Sequence, residues 1–119
     1  MYLLGKLRRL IKNTFTQLFF HHNPYFKGDR ESFLKGMEEN VNPNRTFEIK
    51  KVIEDNELVM TLFHVTYNPK SAGTAVVHIF RFEKDKIIEM WDIGQGIPEN
   101  SPNKWNVLMQ KKEKFILKN

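Results

Sequence analysis

The sequence predicts an α+β domain in which helical segments come first and pack on one face of an antiparallel meander. Three observations carry this. Apolar residues recur at three- and four-residue intervals near the start, and they alternate with polar ones from Thr46 onward. The alternating runs are joined by connections short enough for hairpins. At 119 residues the chain is one domain long, and no linker, repeat or low-complexity stretch divides it, so residues 1–119 are read as a single unit.

Leu3, Leu4, Leu7, Leu10, Ile11, Phe15 and Leu18 fall on one stripe of a helix running from Leu3 to Phe20, with Lys6, Arg8, Arg9 and Lys12 on its back. Such a helix packs its stripe on the domain's own sheet, or offers it to a membrane surface or a partner. Phe19-Phe20-His21-His22-Asn23-Pro24 is a short extended piece ended by the proline. Gly28 and Asp29 open a second helix with Asp29 as its N-cap. Phe33, Leu34, Met37 and Val41 form its buried stripe, and the Asn- and Pro-rich stretch from Asn40 to Asn44 stops it. Four strands follow, Thr46 to Ile53, Glu57 to Tyr67, Thr74 to Phe82 and Ile87 to Gln95. Residues such as Val76, Val77, Ile79, Phe80, Trp91 and Ile93 make the later strands apolar on both faces. One face is expected to cover the helices and the other to meet a second copy, because a domain of this size buries only about 65% of its unfolded surface alone.

Composition removes several classes. The absence of cysteine excludes disulfide frameworks and thiolate zinc sites and fits a reducing cytoplasm. The basic residues near the start interrupt every apolar run before it reaches the length of a membrane span. The net charge of +5 comes from the two ends: residues 1–20 hold four cations and no acid, and residues 104–119 hold five lysines against Glu113. The middle of the chain is net acidic, which is not the pattern of a nucleic-acid-binding face.

The polar chemistry rests on four histidines and one carboxylate. His21, His22, His64 and His78 have no close helical spacing, so no local metal motif is present. If the Asn68–Gly73 loop closes with residues 67 and 75 paired, His64 lies opposite His78 on one sheet face. Asp92 joins that face if the next turn has three residues with Asp85 left-handed; a two-residue turn at Lys84-Asp85 puts Trp91 there instead. Glu89 falls with Trp91, away from Asp92, and Arg81 faces solvent or a partner, with an anion clamp as the alternative. A carboxylate in a dry pocket has its pKa raised toward neutral, where a general base works best. The same groups could instead be satisfied structural hydrogen-bonders, or hold a divalent metal.

Three pieces of the sequence, Phe20-His21-His22-Asn23-Pro24, Gly73 to Arg81 and Lys86 to Asp92, resemble the SnoaL-like polyketide-cyclase group of the nuclear-transport-factor-like superfamily. The resemblance spans about residues 20–103; the basic N-terminus (1–19) and tail (104–119) are atypical of that group. It implies a cystatin-like cone, a strongly curved sheet with helices in its concave face and a cavity at the open end, dimerising through the outer sheet face. It also implies cofactor-free acid/base chemistry, an aldol-type cyclisation or isomerisation of a small hydrophobic carbonyl compound. Asp92 then takes the acid/base role, with His22, His64 and His78 beside it and Met60, Leu62, Phe80, Met90 and Trp91 as candidate substrate-binding residues. Relatives commonly carry an acid at the position of His78 and histidines at those of Met90 and Leu62. The alternative is a non-catalytic pocket protein or dimeric partner module on the same fold.

Overall fold

The computed structural model describes residues 13–40, 42–103 and 108. The order is β1 (Phe15–His21), α1 (Arg30–Glu39), β2 (Thr46–Asp55), β3 (Leu58–Thr66), β4 (Thr74–Glu83) and β5 (Lys86–Gly96). They form one five-stranded sheet in the order β1-β5-β4-β3-β2 with α1 on its concave face. The α+β class and the four-strand meander are as the sequence predicts. Most of the predicted N-terminal helix and the position of Val41 lie outside the described residues.

Where that helix should end, the structure has a strand. Residues 15–21 are β1, which pairs parallel to β5 through Phe20↔Glu89 and His21↔Met90. The spacing of Phe15 and Leu18 satisfies a helical stripe, but the segment Phe15-Thr16-Gln17-Leu18-Phe19-Phe20 is rich in aromatic and β-branched residues that fit a pleated, half-buried surface. β5 also presents a free edge whose backbone groups need partners. Burial follows the strand: Phe19 is 2% exposed and His21 is buried, while Leu18 is 79% exposed. The sheet is therefore mixed, with a parallel edge strand added to the antiparallel meander.

Helix α1 begins as expected. Asp29 is in an extended conformation, its Oδ2 accepts from the Ser32 amide at 2.9 Å, and the Ser32 hydroxyl donates to Oδ1 at 2.7 Å. Those two bonds hold the Asp29 carboxyl below its ordinary pKa. The helix turns Phe33 and Leu34 onto Phe19, Ile87 and Met90, with Phe15, Met37, Phe80 and Phe82 packed around them. Gly36 lies against the Phe26 ring, which would have to shift to admit a Cβ, since one there would come within 2.8 Å of it.

Two registers decide what faces the concave side. In the β3–β4 pair Thr61 lies opposite His78 and His64 opposite Ala75, so His64 and His78 are on opposite faces. The expected pairing of residues 67 and 75 does not form. The loop is tied differently: the Ser71 amide donates to the Asn68 carbonyl and Gly73 takes φ +81°. The β4–β5 turn has two residues, Lys84 and Asp85, both left-handed at φ 50° and 69°. That turn alone would send Asp92 outward. Between Glu83↔Lys86, Phe82↔Ile87 and Arg81↔Glu89 the register shifts by a β-bulge that leaves Ile88 unpaired, and the extra residue brings Asp92 opposite His78. The facing comes from a bulge, where the sequence reading required a three-residue turn.

Candidate functional site

The bulge gives the concave face a polar centre in an apolar wall. Phe63, Val65, Val76, Phe80 and Met90 line an open cavity of about 810 Å³ together with His78, Asp92 and Asn23, a volume within the range of small-molecule pockets. α1 and the loop before it supply Phe33, Met37, Tyr25 and Phe26 to the opposite wall.

Asp92 accepts two hydrogen bonds. His78 Nε2 lies 3.1 Å from Oδ1, and Asn23 Nδ2 donates to Oδ2 at 2.7 Å. The orientation of the Asn23 amide follows from its surroundings, because its Oδ1 already accepts the Tyr25 amide at 2.8 Å. The Asn23 backbone amide in turn donates to His21 Nδ1 at 3.1 Å, while His21 Nε2 sits 2.7 Å from the Lys27 carbonyl. His21 is thus a buried ring with both nitrogens used, and it anchors the loop that presents Asn23.

These contacts reverse the expected pKa direction. The hydrogen bond from His78 lowers the Asp92 pKa most; burial opposes it, and the positive potential of His78 and the Asn23 amide add to the lowering. Asp92 is therefore an ionised acceptor at neutral pH, a weak base by itself. As an acceptor-only carboxylate it requires a proton on His78 Nε2, which leaves Nδ1 as the ring nitrogen that Asp92 does not engage. The ring is held edge-on between Phe63 and Phe80, with centroids at 4.8 and 5.6 Å.

Most of the other residues singled out from the sequence are elsewhere. His64 lies on the outer face, where Nε2 is 2.7 Å from the Ala72 carbonyl and ties down the β3–β4 loop. His22 follows β1 on the outer side, stacked on Trp91 at 4.8 Å and bonded to Glu89 Oε2 at 2.7 Å. Glu89 also accepts from Arg81 Nε at 2.8 Å. Burial raises its pKa, and the bonds and charges of His22 and Arg81 outweigh that and leave it below its ordinary value. Met60 and Leu62 share the outer face with Ile79 and Trp91, whereas Phe80 and Met90 line the cavity. Asn23 was not singled out from the sequence; its signal is the Asn-Pro-Tyr turn, in which an asparagine caps the amide two residues on. Among the described residues no group of three or more His, Cys, Asp or Glu is placed to hold a metal ion, and no helix is long and apolar enough to cross a membrane.

Comparison with solved structures agrees with this architecture. An NTF-2 like protein of unknown function from Burkholderia xenovorans superposes with a TM-score of 0.67 at 15% identity, covering 92% of this chain and 84% of that one. A candidate isomerase of the SnoaL-like family from Agrobacterium tumefaciens gives 0.64 at 8% identity, over 78% and 84% of the two chains. A candidate polyketide cyclase from Acidithiobacillus ferrooxidans gives 0.58 at 14%, over 76% of each. At these identities the likeness is one of fold. No curated protein matches the sequence. The SnoaL-like domain family matches residues 10–90, from before β1 to the strand that carries Asp92, and the chain belongs to that family.

Proposed function

We propose that the cavity binds a small, mostly apolar carbonyl compound and that His78 and Asp92 move a proton at the carbon next to its carbonyl, without a cofactor. The observation that carries this is the Asp92–His78 pair in the wall of a mostly apolar pocket, with Asn23 fixing the carboxylate. The roles differ from a lone carboxylate base. Asp92 orients the ring and stabilises the imidazolium, His78 takes the proton, and the arrangement works as an acid/base pair for enolisation, the common first step of aldol cyclisation and isomerisation. Family neighbours described as a candidate isomerase and a candidate polyketide cyclase belong to reaction classes with that step.

The test is hydrogen exchange. A panel of apolar ketones in D₂O, followed by NMR, should show α-proton exchange accelerated by the native chain and slowed by about 10²-fold or more in His78→Ala. Binding without any accelerated exchange would instead support the pocket as a plain binding module.

The same reading has a second copy covering the outer sheet face. Ile53 and Ile93 are more than half exposed there, beside the half-buried Met60, Leu62, Ile79 and Trp91. Sedimentation equilibrium should give a dimer for the native chain and a monomer for Ile79→Glu. A monomeric native chain would end that part of the reading.

A further inference from the structure

The cavity has a second polar end, at the start of β2. Arg45 lines it half-buried, with its guanidinium carbon 5.0 Å from the centre of the Phe47 ring. Its Nε is shielded from solvent and has no hydrogen-bond partner, and no carboxylate of a described residue pairs with it. A guanidinium fork left in this way in a pocket wall lacks the planar acceptor it fits best. Asn42, also in the lining, can donate as well. The Arg45 amide bonds the Asn42 carbonyl, and the Asn42 side-chain oxygen is taken by the Asn44 amide, which leaves its amide N–H groups for a ligand. Asp92 is the only acid among the described lining residues, and it lies far away.

That separation can be read from the registers. Arg45 precedes Thr46, which pairs with Thr66; Asp92 pairs with His78, which pairs with Thr61. Arg45 therefore lies opposite position 67, so six residue steps along β3 and three strand spacings separate it from Asp92, on the order of 25 Å between Cα atoms in a flat sheet. The bend of the sheet and the reach of the arginine shorten this, so the two polar ends suit the two ends of one medium-chain ligand. The wall between is apolar: Phe47, Phe63, Val65 and Val76.

We infer that Arg45, with the Asn42 amide, is an anion subsite that holds the carboxylate of a mostly apolar keto acid whose ketone reaches His78 and Asp92. This rests on the acid/base reading of the pocket and adds the substrate class to it. Charge separation within the cavity sets the orientation, since a carboxylate at the Asp92 end would meet a fixed negative charge and at the Arg45 end a fixed positive one.

The probes are a keto acid of about ten carbons with its ketone next to the terminal methyl, and the methyl ester of the same acid, each titrated calorimetrically into the full chain. The native protein should bind the acid about tenfold or more tightly than the ester, and added salt should narrow the gap. Arg45→Met should abolish the preference while leaving ester affinity unchanged. Arg45→Lys, which keeps charge without the fork, should retain part of it and gives a reading if the methionine variant does not fold. Equal binding of acid and ester by the native chain overturns the subsite, as does an Arg45→Met variant that weakens both alike. Either result leaves the acid/base reading standing if ketone exchange still depends on His78. Failure of both probes to bind overturns the keto-acid subsite, while the ketone panel decides the acid/base reading on its own.

Discussion

An alanine at position 19 is expected to lower the free energy of unfolding by about 3–5 kcal/mol, seen as a lower urea midpoint with an unchanged slope. Phe19 is 2% exposed and its ring lies 4.6 Å from Phe15 and 5.0 Å from Phe33, in the cluster completed by Leu34, Ile87 and Met90. Truncation leaves a void under α1 that rigid neighbours on the sheet cannot fill. Since a domain of this kind holds about 5–15 kcal/mol in all, the loss is a large share of the total. The control is Leu18→Ala, one residue away and 79% exposed, which should change stability by about 0.5 kcal/mol or less. The two variants also separate the strand from the helix that the sequence spacing allows. In the helical stripe Leu18 is the buried residue and Phe19 is not. A Leu18→Ala variant that costs more than Phe19→Ala would overturn β1.

Local signals were legible where the physics is local. The cap at Asp29 depends on contacts within three residues, and the alternation from Thr46 onward depends on each strand's own two faces. β1 was not legible, because Phe15 and Leu18 fit both periods and what decides between them is the unpaired edge of β5, far along the chain. The candidate site failed and succeeded for the same reason. Asp92 faces His78 because Ile88 bulges, and nothing in Lys86-Ile87-Ile88-Glu89 announces an extra residue. The loop between β3 and β4 closes so that His64 leaves the face His78 occupies, and a three-residue difference in pairing suffices. Asn23 bonds a carboxylate 69 residues away, so the Asn-Pro turn could be read from the sequence and its purpose could not. The pKa of Asp92 moves opposite to the burial argument for a related reason. Burial is inferred from composition, whereas the two donors that outweigh it come from separate elements.

Asp92→Asn is expected to slow ketone α-exchange by about 10²–10⁴-fold with little loss of ligand affinity. The reason is the tautomer. Asp92 accepts from both His78 Nε2 and Asn23 Nδ2; an asparagine offers one acceptor and one donor. If its oxygen keeps the Asn23 bond, its amide faces Nε2, and the ring relaxes by carrying its proton on Nδ1. The nitrogen that should take the substrate's proton is then already protonated, and the carboxylate that would stabilise the imidazolium is gone. ¹⁵N chemical shifts of His78 should show the proton moving from Nε2 to Nδ1. The double variant Asp92→Asn, His78→Ala should be no slower than His78→Ala alone, since the pair acts as one unit. The pH dependence gives an independent check. With its folded pKa lowered, Asp92 contributes stability that is fully present above the ordinary carboxylate pKa and lost as pH falls through the lowered folded value. The stability difference between the native chain and Asp92→Asn should accordingly stay level from neutral pH down to the ordinary aspartate range and shrink only below it. A difference that shrinks at higher pH would mean that Asp92 is not held ionised by its two donors, and an Asp92→Asn variant that exchanges ketone protons at the native rate would remove the pair from the mechanism.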